Sequence, residues 1–127
     1  MKYVYPAIFV SENGKYYVSV PDLSGCHTVG DDLQDAIEMA RDAIEMWLCI
    51  AEDKSENIPM PTLDLKSEEG FVSLIDADTT LYRKMTDKKA VKKTLSIPSW
   101  LNTQAELSGV NFSQVLQEAL LQKLHID

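Results

Sequence analysis

The stretch from Val91 to Leu124 constrains the fold most, because a strand pattern and two short helix patterns follow one another there without a gap. From Val91 to Ile97 apolar and polar residues alternate with a period of two, which predicts a half-buried strand. Pro98 suits the first turn of a helix that ends near Gly109. Asn111 is then expected to cap a second helix, whose apolar stripe consists of Phe112, Val115, Leu116, Ala119, Leu120 and Leu124.

One strand and two short helices are too small to bury a core alone, and both edges of such a strand lack a partner. The pattern therefore predicts a symmetric dimer in which two copies pair their strands. The free N–H groups at the start of the second helix favour a phosphate. An ordinary helical hairpin with a preceding strand is the alternative interpretation.

The order strand, helix, helix resembles the ribbon–helix–helix repressors, whose paired strands enter the major groove of DNA. The sequence of residues 91–120, VKKTLSIPSWLNTQAELSGVNFSQVLQEAL, is similar to that of the C-terminal domain of HicB-type antitoxins. The resemblance implies that Lys92, Thr94 and Ser96 read base edges and that Asn111 and Ser113 hold phosphates. It also implies a dimer core formed by Leu95, Ile97, Val115 and Leu116.

Charge is divided unevenly along the chain. Residues 1–81 contain five Lys or Arg against 16 Asp or Glu, a net of −11, whereas residues 82–127 contain seven against four, a net of +3. An acidic protein does not coat nucleic acid, so any DNA affinity depends on a local cluster of Lys84, Lys88, Lys89, Lys92 and Lys93. The alternative for the first three lysines is a solvated linker. The negative charge of residues 1–81 would suit a basic protein partner. An excess of Asp and Glu on a protein surface can also simply maintain solubility.

The first third of the chain predicts a small antiparallel sheet. Lys2–Val10 is apolar on both faces, which predicts a strand covered on both sides. Pro6 within it requires an edge position, a bulge or an N–H direction that needs no partner. Asn13-Gly14 indicates a hairpin leading into Tyr16–Val20, and Cys26–Val29 is long enough for a third strand.

Asp31 is predicted to cap a long helix, with Gln34 at the reciprocal capping position. The opposite face of this helix is acidic, and Phe71–Ile75 is predicted as a fourth strand. The apolar stripe of the helix consists of Leu33, Ala36, Ile37, Ala40, Ala43, Ile44, Trp47, Leu48 and Ala51.

This α+β arrangement, a small antiparallel sheet with one packed helix, resembles the partial ribonuclease-H-like domain of HicB antitoxins. The segments that carry the resemblance are YPAIF, VPDLSGC, GDDLQDA and IPMPT. We therefore predict a toxin-binding domain at 1–77, a linker at 78–90, and a ribbon–helix–helix domain for DNA binding and dimerisation at 91–127.

The resemblance implies an antitoxin that neutralises a HicA-like mRNA-cleaving toxin. It also implies that a homodimer or higher oligomer represses its own operon by binding palindromic, double-stranded operator DNA. Glu38, Asp42 and Glu45 are the candidate toxin contacts. The alternative function is a ligand-sensing ribbon–helix–helix regulator without a toxin partner, with a pocket lined by Tyr3, Tyr5, Tyr16 or Trp47.

No catalytic residue, metal site or cofactor is expected. The first strand has no acidic residue where ribonuclease H enzymes place a catalytic carboxylate, and Asp76 and Asp78 are interpreted as a turn cap. Cys26 and Cys49 lack the further ligands of a zinc site and are expected to be reduced. No apolar run is long enough for a membrane span, and no signal pattern begins the sequence, so we predict a cytoplasmic protein.

Overall fold

The computed structural model describes residues 1–126, which form two compact units, one at Met1–Lys88 and one that begins at Lys89. The predicted α+β class is confirmed. The strands are β1 (Lys2–Glu12), β2 (Lys15–Ser19), β3 (His27–Gly30) and β4 (Phe71–Asp78). The helices are α1 (Leu33–Asp53), α2 (Thr79–Thr86), α3 (Ser99–Leu107) and α4 (Phe112–Lys123).

The first unit contains one antiparallel sheet with the strand order β3-β2-β1-β4. The β1–β2 hairpin turns at Asn13 (φ 54°) and Gly14 (φ 80°), and two positive φ angles are what a type I′ turn requires. The predicted hairpin is therefore confirmed. On its other side β1 pairs with β4, in a register that runs from Lys2↔Asp78 to Phe9↔Phe71.

The core lies between the sheet and α1. Every fourth position of α1 points at the sheet, as an amphipathic helix requires. The side chains that meet there are Tyr5, Ala7 and Phe9 of β1 and Ala36, Ala40, Ile44 and Leu48 of α1, all of them at most 1% exposed.

The expectation that the first strand is covered on both faces holds only in part. Its second face carries Val4, which is 43% exposed, and the neighbouring Leu74 of β4 is 59% exposed. Directly opposed residues of antiparallel strands lie on the same face, so Val4, Ile8, Val72 and Leu74 share this face with Pro6. Pro6 is fully buried there, Ile8 and Val72 are half-buried, and Val4 and Leu74 are exposed.

Pro6 is tolerated because its nitrogen lies where no strand needs a donor. The backbone of Asp76 and Asp78 bonds to side chains of α1, so even-numbered residues of β4 direct their peptide groups away from β1. Pro6 is opposite Leu74, an even-numbered residue, and β2 pairs with β1 only from Ile8 onward. Of the three predicted explanations for Pro6, the direction of its nitrogen is the one that applies.

The cap of α1 is one residue later than predicted. The Asp32 carboxylate accepts from the backbone N–H of Asp35 at 2.7 Å, and the Asp35 carboxylate accepts from that of Asp31 at 2.8 Å. The reciprocal partner is thus Asp35 and not Gln34. Two consecutive aspartates give equivalent sequence patterns, and only the backbone geometry selects between them.

The segment predicted as a linker, 78–90, contains α2 over most of its length. The Asp78 side chain caps this helix by accepting from Leu81 N–H at 3.1 Å, as expected for a turn cap. The Glu52 carboxylate then joins three elements, because it accepts from Tyr3 Oη at 2.7 Å, Thr79 Oγ1 at 3.1 Å and Arg83 Nη2 at 3.1 Å. We call these four residues the Glu52 cluster.

The charge state of Glu52 follows from these contacts. Burial opposes ionisation, but the hydrogen bonds from Tyr3, Arg83 and Thr79 and the charge of Arg83 outweigh it, so the pKa of Glu52 is lowered. The same contacts act in the opposite sense on Tyr3. Its burial, its hydrogen bond to Glu52 and the Glu52 charge raise the pKa of Tyr3 to about 12.

In the second unit both predicted helices are confirmed. Gly109 has a φ of 71° and ends α3, with its N–H donating to the Glu106 carbonyl at 3.1 Å. Asn111 caps α4 by accepting from Gln114 N–H at 3.1 Å. None of the helices within residues 1–126 is both long and apolar enough to cross a membrane.

The strand predicted at Val91–Ile97 is not formed in the chain, since residues 87–98 have no regular secondary structure. A strand is defined by the ladder of hydrogen bonds to a neighbouring strand, and no described residue pairs with this segment. The period-two pattern is present in the sequence, but no pairing strand comes from within the chain.

Candidate functional sites

A groove of about 590 Å³ lies within the second unit. It is lined by all four residues predicted for the dimer core, which the sequence places in two separate segments: Leu95, Ile97, Val115 and Leu116. The fold of one chain therefore brings the apolar side of the predicted ribbon strand against the first turns of α4. Lys93, Asn102, Glu106, Phe112, Ser113 and Ala119 complete the lining.

Apolar side chains of the second unit remain largely accessible. No described residue after Lys88 is buried, and Leu95 is 59% and Trp100 63% exposed. Soluble proteins rarely leave so many apolar side chains uncovered unless another surface covers them. The extent of this exposure was not evident from the sequence, which shows apolar periodicity but not which stripes remain uncovered.

The predicted DNA-binding residues fall into two places within the second unit. Lys92, Thr94 and Ser96 are exposed and alternate with groove residues in the irregular segment. Asn111 and Ser113 are at the exposed start of α4, where the side-chain Oδ1 of Asn111 already accepts from Gln114 N–H. Asn111 therefore orders the helix start, and the N–H groups around it and Ser113 are in a position that favours an anion.

The three candidate toxin contacts on α1 differ in their surroundings. Glu38 and Asp42 are exposed. Glu45 is partly buried and accepts from the backbone N–H of Asp78 at 2.8 Å, so it has a structural partner within the chain. Of the acidic face predicted from the sequence, Glu38 and Asp42 are the more accessible members.

A cleft of about 510 Å³ lies beside β1, β4, α1 and α2. Within it the Arg41 guanidinium bonds to the Asp76 carboxylate at 2.9 Å and to the Asp76 carbonyl at 3.1 Å. The hydrogen bond and the charge of Arg41 lower the pKa of Asp76. Asp76 and Asp78 are thus both used in the fold, one in an ion pair and the other as a helix cap. Sequence reasoning missed the role of Arg41, because no motif marks a side chain that bonds to a strand edge.

Other residue types associated with chemistry also have structural partners. Across the described sequence, no group of three or more His, Cys, Asp or Glu residues is placed to hold a metal ion. Cys26 and Cys49 are buried free thiols, and burial raises the pKa of each. Tyr5 Oη donates to the Pro59 carbonyl, and Trp47 Nε1 donates to the Ser24 carbonyl at 2.9 Å. These two aromatic residues belong to the core and its margin, and neither lines the groove or the cleft.

Comparison with known proteins agrees with this architecture. The family model described as HicB_like antitoxin of bacterial toxin-antitoxin system matches residues 5–119. A protein of Haemophilus phage HP1, described as an uncharacterized 14.9 kDa protein in the rep-hol intergenic region, is 30% identical over 104 residues, which are 77% of this chain and 75% of that protein.

Two solved structures share the fold. A toxin-antitoxin complex from Streptococcus pneumoniae contains a chain that aligns with a TM-score of 0.58 at 24% identity, covering 97% of this chain and 99% of that one. The HicA3 and HicB3 toxin-antitoxin complex contains a chain that aligns with a TM-score of 0.50 at 21% identity, covering 60% of this chain and 99% of that one. The chain belongs to the HicB-like antitoxin family of bacterial toxin-antitoxin systems.

Proposed function

We propose that this chain is a non-catalytic antitoxin that binds and blocks a HicA-like mRNA-cleaving toxin and represses its own operon in the cytoplasm. The groove in the second unit is the observation that supports the repressor function. It is lined by Leu95, Ile97, Val115 and Leu116, and it lies beside a segment that has strand periodicity but no pairing strand. Family membership supports the toxin-binding half.

The second unit has the properties of half a dimer. Its helices bury no residue fully, and its groove is apolar at the positions where a second copy of the ribbon strand would lie. Pairing of the two segments would form the missing strand ladder and cover both grooves about one twofold axis. A palindromic operator has the same symmetry.

In this arrangement Lys92, Thr94 and Ser96 face the bases, because they alternate with the residues that line the groove. The N–H groups near Asn111 and Ser113 hold the flanking phosphates and fix the register on the DNA. The acidic balance of residues 1–81 means that specific contacts and a few lysines must supply the affinity.

Leu95→Lys tests the dimer. A lysine there would bring two like charges into an apolar interface, so we expect loss of both the dimer and operator binding in sedimentation and gel-shift assays. Leu107→Lys is the matched control, because Leu107 is 83% exposed and does not line the groove. A dimer of unchanged affinity in Leu95→Lys would refute the groove as the interface.

Thr94→Ala and Lys92→Ala test the assignment of the DNA-reading face. We expect each to weaken operator binding by about tenfold, the loss of one good base contact, with the circular dichroism spectrum and dimer mass unchanged. A parallel loss of dimer mass would make these residues structural.

For toxin binding, the acidic α1 face is the favoured surface, because a toxin that binds RNA is expected to be basic. Two of the solved structures that share the fold are described as toxin-antitoxin complexes. We propose that Glu38 and Asp42 contact the toxin, with Glu45 supporting β4 behind them.

The test is the growth of bacteria that express the small open reading frame next to the gene for this chain, as the candidate toxin gene. Growth is compared with and without co-expression of this chain. Co-expression should restore growth, and the double variant Glu38→Lys/Asp42→Lys should fail to restore it. The control Glu56→Lys/Asp64→Lys changes the same net charge at exposed positions outside α1. If both double variants protect equally, the contact surface lies elsewhere. If the neighbouring frame is harmless, the toxin-binding function itself is refuted.

A further inference from the structure

One side chain of α2, that of Arg83, makes three polar contacts with the end of α1. Its Nη2 donates to the Cys49 carbonyl at 3.1 Å and to Glu52 Oε1 at 3.1 Å, and its Nη1 lies 3.0 Å from Asp53 Oδ1. Because all three partners lie in the last two turns of α1, Arg83 fixes the middle of α2 to the end of that helix.

The apolar side chains of α2 contribute little to this contact. Leu81 and Met85 are exposed, and the apolar core of the first unit, as described within residues 1–126, contains no side chain of α2. Among the eight residues of α2 only Thr79, the first, is buried. An isolated helix of eight residues is marginal in water. Beyond Thr79, α2 therefore depends on Arg83 and on the half-buried Tyr82.

We propose that residues 80–86 form a latch on α1, which opens by itself while the sheet and the core of the first unit stay folded. Thr79 is the fixed end of this α2 latch, because it is buried and its hydroxyl donates to Glu52 Oε2 at 3.1 Å. Segments with few buried apolar contacts open at lower cost than the core. The opened segment is too short to persist as a helix, so it becomes part of the connecting chain.

The position of the α2 latch in the chain sets the length of the connection between the two units. With the latch closed, residues 87–90 lead to the proposed ribbon strand at 91–97 and span at most about 14 Å. With the latch open, residues 80–90 span at most about 38 Å. This count rests on the proposed function, because it takes residues 91–97 as the ribbon.

The length of this connection matters because of charge. Residues 1–81 have a net charge of −11, which repels a DNA duplex held by the ribbon. A closed latch keeps this charge close to the DNA, and an open latch lets the acidic unit move away from it. The closed state therefore weakens operator binding at low ionic strength, and the open state relieves the repulsion.

Cys49 reports whether the α2 latch is closed. Its thiol is buried, and its carbonyl accepts from Arg83. Tyr82 is close to it as well, since burial raises the pKa of Tyr82 and the neighbouring Asp42 and Cys49 raise it further. Opening of the latch removes Arg83 and Tyr82 from this position. Cys26 is an internal reference, because it is a buried thiol that lies outside α1 and α2.

The main test is the rate at which dithiobis-nitrobenzoate labels each thiol of the full-length chain, resolved by peptide mass spectrometry. The rate is measured at several urea concentrations below the unfolding midpoint. The urea dependence of an opening free energy scales with the surface that the opening exposes. We expect a much smaller dependence for Cys49 than for global unfolding followed by tryptophan fluorescence. An equal dependence would overturn the inference, because α2 would then leave α1 only when the whole unit unfolds.

Arg83→Ala tests whether the Arg83 contacts close the latch. Alanine is the best helix former, so the change does not act through helix propensity. The loss of one hydrogen bond to a partly buried carbonyl predicts that Cys49 labelling rises about fivefold, with Cys26 labelling unchanged. Arg41→Ala is the matched control, because it removes the same charge and bonds only to Asp76 of β4.

Equal Cys49 labelling in the two variants would overturn the role of Arg83. The urea dependence of the wild type needs no variant, so it decides whether the latch opens even if Arg83→Ala does not fold.

Binding to the DNA upstream of the gene for this chain tests the effect of the longer connection. The Debye length is about 30 Å at about 10 mM salt, between the two spans, and about 8 Å at about 150 mM, shorter than both. We expect Arg83→Ala to bind this DNA more tightly than Arg41→Ala at the lower salt and equally at the higher. Equal binding at both would overturn the effect on DNA. If the wild type does not bind, the repressor proposal fails, whereas the thiol labelling still decides whether the latch opens.

Discussion

Glu52→Gln changes one charge in the Glu52 cluster without changing the shape of the side chain. Tyr3 and Thr79 would lose charge-assisted hydrogen bonds and keep at most neutral ones. Charge-assisted bonds contribute roughly twice as much as neutral ones, so we expect the free energy of unfolding of the first unit to fall by about 1–2 kcal/mol at pH 7. We assign no energy to the Arg83 contact, since solvent screens its exposed guanidinium.

The pH dependence tests whether the ionised form of Glu52 causes this difference. The pKa of Glu52 is lower in the folded protein than in the unfolded chain, so its contribution is complete above the unfolded value of about 4.3 and is lost as the pH falls through the folded value. The difference between wild type and Glu52→Gln should therefore shrink as the pH falls below about 4.

Urea unfolding followed by tryptophan fluorescence is a suitable assay. Trp47 packs against the core of the first unit, whereas Trp100 is already largely exposed, so the change in emission reports mainly on the first unit. Glu38→Gln, on the exposed face of the same helix, controls for the loss of one negative charge. An equal difference between Glu52→Gln and wild type at pH 7 and pH 3 would show that the difference does not depend on the ionisation of Glu52, and a stabilising role for its charge would be refuted.

Three further variants test the packing and the caps. Ile44→Ala should lower the free energy of unfolding by about 2–5 kcal/mol in urea, because Ile44 is fully buried where α1 meets the sheet; a smaller loss would indicate that the core collapses around the cavity. Gly30→Ala should cost about 3 kcal/mol in the same assay, since an added Cβ would lie 2.3 Å from the backbone of Ala36; an unchanged midpoint would refute this close approach. Asn111→Ala should lower the helical circular dichroism melting point of the second unit by removing a cap worth about 1 kcal/mol, and Gln114→Ala, which keeps the bonded N–H, should change it less.

The sequence correctly predicted the turns, caps and helices that are determined by residues close to one another in the chain. Asn13-Gly14 selects its turn through positive φ angles, and the stripe that includes Ile44 and Leu48 follows the helical period directly. Asn111 and Gly109 mark the turn between the last two helices for the same reason. These features depend on residues within one or two turns of each other, so a single sequence contains the required information.

The sequence was least informative for elements that are held in place by residues far along the chain or by a strand that the chain itself does not supply. α2 is held by Glu52 of α1, which is 31 residues from Arg83 in the sequence. Glu52 is in turn bonded to Tyr3 of β1, 49 residues before it. The segment at Val91–Ile97 has the pattern of a strand but no partner among the described residues. The acidic face was identified correctly as a pattern, yet only the structure shows that Glu45 supports β4 and that Glu38 does not.

The pairing of β1 with β4 also sets an order of events during synthesis. β1, β2, β3 and α1 lie within the first 53 residues and can assemble from near neighbours, but Lys2 meets its opposite residue only when Asp78 has been made. Until then one edge of β1, including Tyr5 and Ala7, has no strand beside it. A ribosome that pauses between α1 and β4 would therefore hold a nascent chain with an apolar strand edge open to other chains. We therefore expect slow translation of the codons for the loop between α1 and β4 to promote aggregation.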